Sequence, residues 1–110
     1  MMRTVSVLGT DYTVWSATPK EDPVLQDNDG YCDYSVHMCV VNAQMGDASD
    51  SLKDMDAHRR TVTRHELIHA FLFESGLGPE CEWACEEMVD WLARQYPKIA
   101  AAFQKIECDT

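Results

Sequence analysis

The sequence predicts an α+β fold: a small antiparallel β-sheet of about three strands, packed on one long helix, an antiparallel partner helix and a short C-terminal helix. Apolar and polar residues alternate in three short segments within the first 41 residues, the pattern of half-buried strands. Long stretches without helix-breaking residues dominate the rest of the chain. At 110 residues, we expect one domain that spans positions 1–110.

The strand assignments come from three alternating segments. Thr4–Leu8 and Tyr12–Trp15 are separated by a short polar segment that contains Gly9, which favours a hairpin. A polar loop follows and ends in Asp27–Gly30, a strong turn signal. The third predicted strand is Tyr34–Val41, in which alternate residues share one face.

The helix assignments follow from caps and breakers. Ser51–Asp54 fits the capping-box pattern that starts a helix, and Gly76 supplies a C-terminal stop. A second helix is predicted over Glu80–Tyr96, closed by Pro97, and a third, short and apolar, over Lys98–Ile106.

Charge and cysteine content narrow the function classes. Nine basic against nineteen acidic residues give a net charge of −10, which argues against binding to nucleic acid or anionic membrane surfaces. No segment has the length of a membrane span, and the N-terminal residues lack the apolar run of a signal peptide. Five cysteines, an odd number, therefore predict reduced thiols and a cytoplasmic location. The expected state is a monomer or small homo-oligomer.

The segment with the clearest chemistry is His65-Glu66-Leu67-Ile68-His69. Histidines four apart on a helix project from one face, so both imidazoles can reach one Zn²⁺ ion. Glu66 lies one step round the helix, where it can accept a proton from a water molecule on the metal. Apolar residues surround the motif, which predicts a buried helix in which these polar groups need partners.

A third ligand is expected on the next helix. Because the predicted connection is short, the two helices should pack antiparallel, and residues equally far from the turn should meet. This places Glu86 level with His69, as the third ligand, and Asp90 level with His65, as the acceptor that fixes the histidine tautomer. Glu87 is the alternative third ligand.

Cys81 and Cys85 lie four apart on the same predicted helix. They are interpreted as two small buried side chains, with half of a metal site as the alternative.

The motif His65-Glu66-x-x-His69, followed by Glu86-x-x-x-Asp90, resembles the pattern of gluzincin zinc metallopeptidases, and the short chain resembles their minimal forms. The segments "DGYCDYS", "RHELIHAFLFESGL" and "EEMVDWLARQYPKI" are also similar to short metallopeptidases encoded by bacteriophages and prophages. The resemblance implies one zinc ion bound by His65, His69 and Glu86, with Glu66 as general base. It also implies an edge strand that binds the peptide substrate, for which Tyr34–Val41 is the candidate, and a bacterial or phage-infected cell as the setting.

The chain departs from this pattern in one respect. Larger gluzincins carry a helical subdomain with a histidine or tyrosine that stabilises the oxyanion, and no such subdomain fits after Asp90. Four residues remain as candidates for that role: Tyr31, Tyr34, His37 and Tyr96.

The leading hypothesis is therefore a small zinc metallopeptidase that hydrolyses peptide bonds with water activated by zinc and Glu66. One alternative is a metal-stabilised structural or interaction protein, related to phage proteins, with the same site and little turnover. The other is a coincidental motif in a metal-free fold.

Overall fold

The computed structural model describes residues 2–44, 54–78 and 80–110. These residues form four strands, β1 (Met2–Val7), β2 (Thr10–Ala17), β3 (Gly30–Asp33) and β4 (Met38–Asn42), a 3₁₀ turn (Pro23–Gln26), and two helices, α1 (Met55–Glu74) and α2 (Glu86–Lys105). The predicted α+β class is confirmed. The described residues contain four strands rather than three, and two helices rather than three.

The predicted hairpin is confirmed, but the sheet is mixed rather than antiparallel. Strands β1 and β2 pair antiparallel around Leu8 and Gly9, which both have positive φ, as a two-residue hairpin turn requires. The sheet order is β1-β2-β4-β3, in which β4 runs parallel to β2 and antiparallel to β3. The edge strands of the sheet are therefore β1 and β3.

The predicted strand Tyr34–Val41 is wrong in its first half and in its position. Residues 34–37 form a turn, because the carboxylate of Asp33 accepts hydrogen bonds from the backbone N–H and the hydroxyl of Ser35, at 3.0 and 2.6 Å. His37 then takes a φ of +53°, which breaks the strand. The remaining residues belong to β4, an inner strand that cannot serve as an edge.

Helix α1 begins and ends with recognisable caps. The Asp54 carboxylate accepts a hydrogen bond from Ala57 N at 3.0 Å. The predicted capping box starts at Ser51, which lies outside the described residues. At the other end, Gly76 has a φ of +85°, and Leu77 N donates to Leu72 O at 2.8 Å, so the predicted stop at Gly76 is confirmed.

Helix α2 differs from the two helices that the sequence predicts. Residues 80–85 form turns, and the helix starts at Glu86 rather than Glu80. Pro97 was expected to end the helix but lies inside it. Proline has no N–H to donate to the carbonyl four residues earlier, and Arg64 Nε of α1 donates to this Ala93 carbonyl instead, at 2.6 Å. The contact satisfies the group that proline leaves free, so one helix continues to Lys105.

Helix α1 packs on β3 and β4 on one side and against α2 on the other. Its Ala70 is fully buried in a cluster with Val7, Tyr12 and Cys39 of the sheet. None of the described helices combines the length and apolar character needed to cross a membrane.

Candidate metal centre

Two histidines of α1 bring their ring nitrogens close together. His65 and His69 are four residues apart on the helix, and their Nε2 atoms lie 3.2 Å from each other. Their side chains are only 18% and 17% exposed, so both rings lie largely within the protein.

Glu86, the first residue of α2, completes the cluster. Its Oε1 lies 2.7 Å from His69 Nε2, and its Oε2 lies 3.0 Å from His65 Nε2. One ligand atom from each of the three residues falls within 4.8 Å of the others, and no other such group of three or more occurs among the described residues. The sequence-predicted ligands His65, His69 and Glu86 are thus brought together.

The donor set and its spacing fit a zinc ion. Two imidazoles and a carboxylate are a common ligand set for catalytic zinc. Ligand atoms at about 2.0–2.1 Å from a tetrahedral ion lie roughly 3.3 Å from each other. The Nε2 atoms of His65 and His69, 3.2 Å apart, match that spacing, and one ligand atom from each of the three residues lies within 4.8 Å of the others.

Other residues considered for the metal lie elsewhere. Glu87 is exposed and does not belong to the cluster. The interpretation of Cys81 and Cys85 as two buried side chains on a helix is wrong: both lie in the irregular segment before α2, where Cys81 is half-buried and Cys85 is exposed. Asp90 Oδ1 lies 3.7 Å from His65 Nδ1, beyond hydrogen-bond length, while Asp90 Oδ2 pairs with Arg94 Nε at 3.0 Å. Asp90 is therefore a charged neighbour of His65 rather than its hydrogen-bond partner.

Glu66 stands beside the cluster in a different environment from Glu86. It is 8% exposed, whereas the Glu86 side chain is 72% exposed. Burial raises the pKa of Glu66 to about 7; the neighbouring His65 opposes this shift and the carboxylate of Glu86 adds to it. A carboxyl group that titrates near neutral pH can both accept and donate a proton there.

Burial also affects the histidines. It lowers the pKa of His69, although the nearby Glu86 carboxylate partly opposes this shift. The neutral imidazole is the form that binds metal ions.

A close approach between β3 and α1 positions Glu66. A Cβ atom added at Gly30 would lie 2.8 Å from Val40 O, 3.0 Å from Val62 Cγ1 and 3.3 Å from Glu66 Cγ. Only glycine allows the edge strand to lie this near to the helix. The sequence pattern placed Gly30 in a turn and missed this role.

The cluster opens into clefts on both sides. A cleft of about 410 Å³ contains Gly30, Cys32, Tyr34, Glu66 and all three cluster residues. A second cleft, of about 490 Å³, extends toward the N-terminal end of α1, past His58. A third, of about 250 Å³, extends toward Leu77 at the C-terminal end. Together they follow the length of α1, with the cluster between them.

Strand β3 presents free backbone groups at this place. Asn42 N donates to Asp29 O at 2.8 Å, so in the antiparallel ladder the backbone groups of Tyr31 and Asp33 also face β4. The N–H and C=O groups of Gly30 and Cys32 therefore point to the open edge, which no other described strand pairs with. The edge strand beside the cluster is β3, and not the segment Tyr34–Val41.

Two of the four candidates for an oxyanion donor, Tyr31 and Tyr34, line the cleft that contains the cluster. Tyr34 lines the cleft with Glu66 and Glu86, and its ring stacks on Phe73 at 4.4 Å between ring centroids. Tyr31 also lines this cleft, but its hydroxyl donates to Asp22.

The other two candidates point elsewhere. His37 packs against the ring of Tyr12, at 5.2 Å between centroids. Tyr96 lines an apolar groove between the helices with Leu67, Phe71 and Leu92.

Burial raises the pKa of Tyr34, and the neighbouring Cys32, Glu66 and Glu86 add to this shift, so its hydroxyl stays protonated at neutral pH.

A scan against protein-family models, a search of curated proteins and a search of solved structures each gave no match to this chain.

Proposed function

We propose that this protein is a zinc-dependent peptidase. The observation that supports it most strongly is the convergence of His65, His69 and Glu86, whose ligand atoms lie within 4.8 Å, next to the buried carboxyl group of Glu66. A metal-binding cluster alone would be compatible with many roles. The neighbouring base and the free strand edge along the same cleft favour peptide hydrolysis.

In this proposal each part of the cleft has a chemical task. Zinc, when bound, supplies a Lewis acid that polarises a peptide carbonyl and makes water acidic near neutral pH. Glu66 accepts the proton of the attacking water and passes it to the leaving amine. Gly30 and Cys32 of β3 bind the peptide in extended form through backbone hydrogen bonds.

Tyr34 is the proposed oxyanion donor. Its hydroxyl donates a hydrogen bond to the carbonyl oxygen as negative charge develops there. Stacking on Phe73 fixes the orientation of the ring in advance. The substrate is a peptide or an extended protein segment, and the proposed location is the cytoplasm.

The test compares wild type with Glu66→Gln and Tyr34→Phe on fluorescent casein and a peptide library, with zinc affinity measured in parallel. Glu66→Gln should lower kcat by about 10²–10⁴-fold because the general base is lost. Tyr34→Phe should lower kcat by about 10²–10³-fold because one oxyanion donor is lost. Both variants should bind zinc as wild type does, since neither residue is a ligand.

Two results would count against the proposal. Cleavage by Glu66→Gln at the wild-type rate would remove Glu66 as the base. Tyr34→Phe with an unchanged kcat would remove Tyr34 as the donor and leave the role of Glu66 intact.

A second candidate function is a metal-stabilised structural protein. The observation that favours it is that Glu86 belongs to α2 while both histidines belong to α1, so that a shared ion would tie the two helices together. Zinc would then raise the melting temperature of the protein in wild type and in Glu66→Gln alike. Wild type that binds zinc but cleaves nothing in the library would favour this function over the peptidase.

A further inference from the structure

Two cysteines lie directly opposite each other in the sheet. Cys32 of β3 pairs with Cys39 of β4, and their sulfur atoms are 3.6 Å apart. Because Tyr31 and Asp33 supply the hydrogen-bonded positions of this ladder, Cys32 and Cys39 occupy a non-hydrogen-bonded pair. The Cα atoms of such a pair are about 4.5 Å apart, within the range of roughly 4.4–6.8 Å that a disulfide spans.

The two thiols differ in access to solvent. Cys39 is completely buried, and its sulfur contacts Glu66 O at 3.5 Å. Cys32 is half-buried and lines the cleft that contains the histidine–glutamate cluster. A small oxidant entering that cleft therefore meets Cys32 first, with Cys39 as the nearest partner behind it.

We propose that Cys32 and Cys39 form a reversible disulfide when the cleft admits a peroxide. The Cys32 thiolate attacks one peroxide oxygen and the O–O bond breaks, which gives Cys32 sulfenic acid and hydroxide. The Cys39 sulfur then attacks the Cys32 sulfur, and the S–O bond breaks. The protons from the two thiols complete two water molecules, so the thiol pair loses two electrons and the peroxide gains them.

The pair is distinct from the other cysteines. All five cysteines are free thiols, but only the sulfur atoms of Cys32 and Cys39 are in hydrogen-bonding contact with each other among the described residues. The modification concerns β3, the strand that lines the metal cleft, and depends on neither zinc nor peptidase activity. It therefore stands or falls independently of the proposed function.

The test treats the full-length protein briefly with hydrogen peroxide in the presence of EDTA, unfolds it in denaturant, alkylates the remaining thiols and measures intact mass. The number of alkylated thiols should fall from five to three, and dithiothreitol should restore five. Chymotryptic cleavage after Tyr34 should give two peptides joined through Cys32 and Cys39. Replacing both Cys81 and Cys85 by serine is the matched control, and this variant should still lose two thiols.

Single variants test the order of the steps. Cys39→Ala should stop at the sulfenic acid, which dimedone traps at Cys32. Cys32→Ala should keep the Cys39 thiol under the same brief treatment, because Cys39 is buried and has lost the partner that meets the peroxide. Peptide mapping of wild type decides the proposal even if Cys39→Ala does not fold. A disulfide that joins other cysteines, or peroxide-treated wild type with five free thiols, would overturn the proposal.

Discussion

Helices α1 and α2 are each twenty residues long, but they contribute to the candidate site in opposite ways. Helix α1 lies between the sheet and α2 and carries its site residues in mid-helix, with both histidines less than one-fifth exposed. Helix α2 contributes from its first turn, where the Glu86 side chain is 72% exposed. Beyond Ala100, every residue of α2 is exposed.

The comparison shows a site made of one enclosed part and one exposed part. Packing between the sheet and α2 encloses His65, Glu66 and His69, whereas Glu86 follows the irregular segment that precedes α2. Near the site, the Glu86 carboxylate contacts His69 and Arg64 Nε donates to Ala93 O, and both contacts join α1 to α2. Substitutions in each part should therefore have separable effects on metal binding and stability.

The largest effect is expected from removing one ligand on either helix. His69→Ala and Glu86→Gln should each weaken zinc binding by more than about 100-fold, the upper end of the loss that follows removal of an outer partner. Isothermal titration with zinc measures this. Glu87→Gln is the matched control on α2, and it should bind as wild type does.

Comparison of Glu86→Gln with Glu87→Gln also decides which of the two glutamates is the third metal ligand. If Glu87→Gln lost zinc while Glu86→Gln retained it, the third ligand would be assigned wrongly. If His69→Ala lost zinc and both glutamate variants kept it, α2 would contribute nothing to the metal.

A smaller effect is expected where α1 meets the edge strand. Gly30→Ala should lower the free energy of unfolding by about 1–3 kcal/mol, because the added methyl group would overlap Val40 O and Val62. Gly78→Ala is the control, since a Cβ there meets nothing within 4 Å. Urea unfolding measures both, and equal stability of the two variants would contradict the close approach of β3 to α1.

An effect of similar size concerns the contact between the helices at Pro97. Arg64→Met should destabilise the protein by about 1.5–3 kcal/mol in wild type, because Ala93 O loses its charged donor. In a Pro97→Ala background the loss should be smaller, because the N–H of residue 97 can then donate to the same carbonyl. A double-mutant cycle should give a coupling energy of about 0.5–3 kcal/mol.

Arg94→Met is the control for this cycle, because Arg94 forms an exposed pair with Asp90 on one helix, which contributes only about 0.3–0.5 kcal/mol. Additive effects of Arg64→Met and Pro97→Ala would show that the arginine does not replace the missing N–H.

The helix ends illustrate what local sequence can and cannot predict. The end of α1 at Gly76 was predictable, because a positive φ and the cap belong to neighbouring residues. The course of α2 through Pro97 was not, because the group that makes it possible, Arg64, lies 33 positions earlier (97 − 64) and reaches it only through tertiary packing. The expectation that a helix ends at proline uses only neighbouring residues and so cannot include such a distant donor.

The site could be predicted better than the elements around it. The matched depth of His69 and Glu86 assumed a helix from Glu80, which does not form, yet the structure joins the same residues. The assumption that α1 and α2 face each other was sufficient. The prediction placed the edge strand at Tyr34–Val41 instead of β3. The turn residues before Gly30 gave no indication that a strand starts there, and the hydrogen bonds between Asp33 and Ser35 turn the chain where the strand was predicted to begin.

X-ray absorption spectroscopy of the zinc-loaded protein tests the central claim most directly, since it reports the atoms bound to the metal. The account predicts one zinc ion with nitrogen and oxygen neighbours at about 2.0–2.2 Å, including two imidazoles. His65→Ala should lose this signature, and replacing both Cys81 and Cys85 by serine should leave it unchanged. A sulfur neighbour at about 2.3 Å, or a signature that persists in His65→Ala, would contradict the assignment of His65, His69 and Glu86 as the metal ligands.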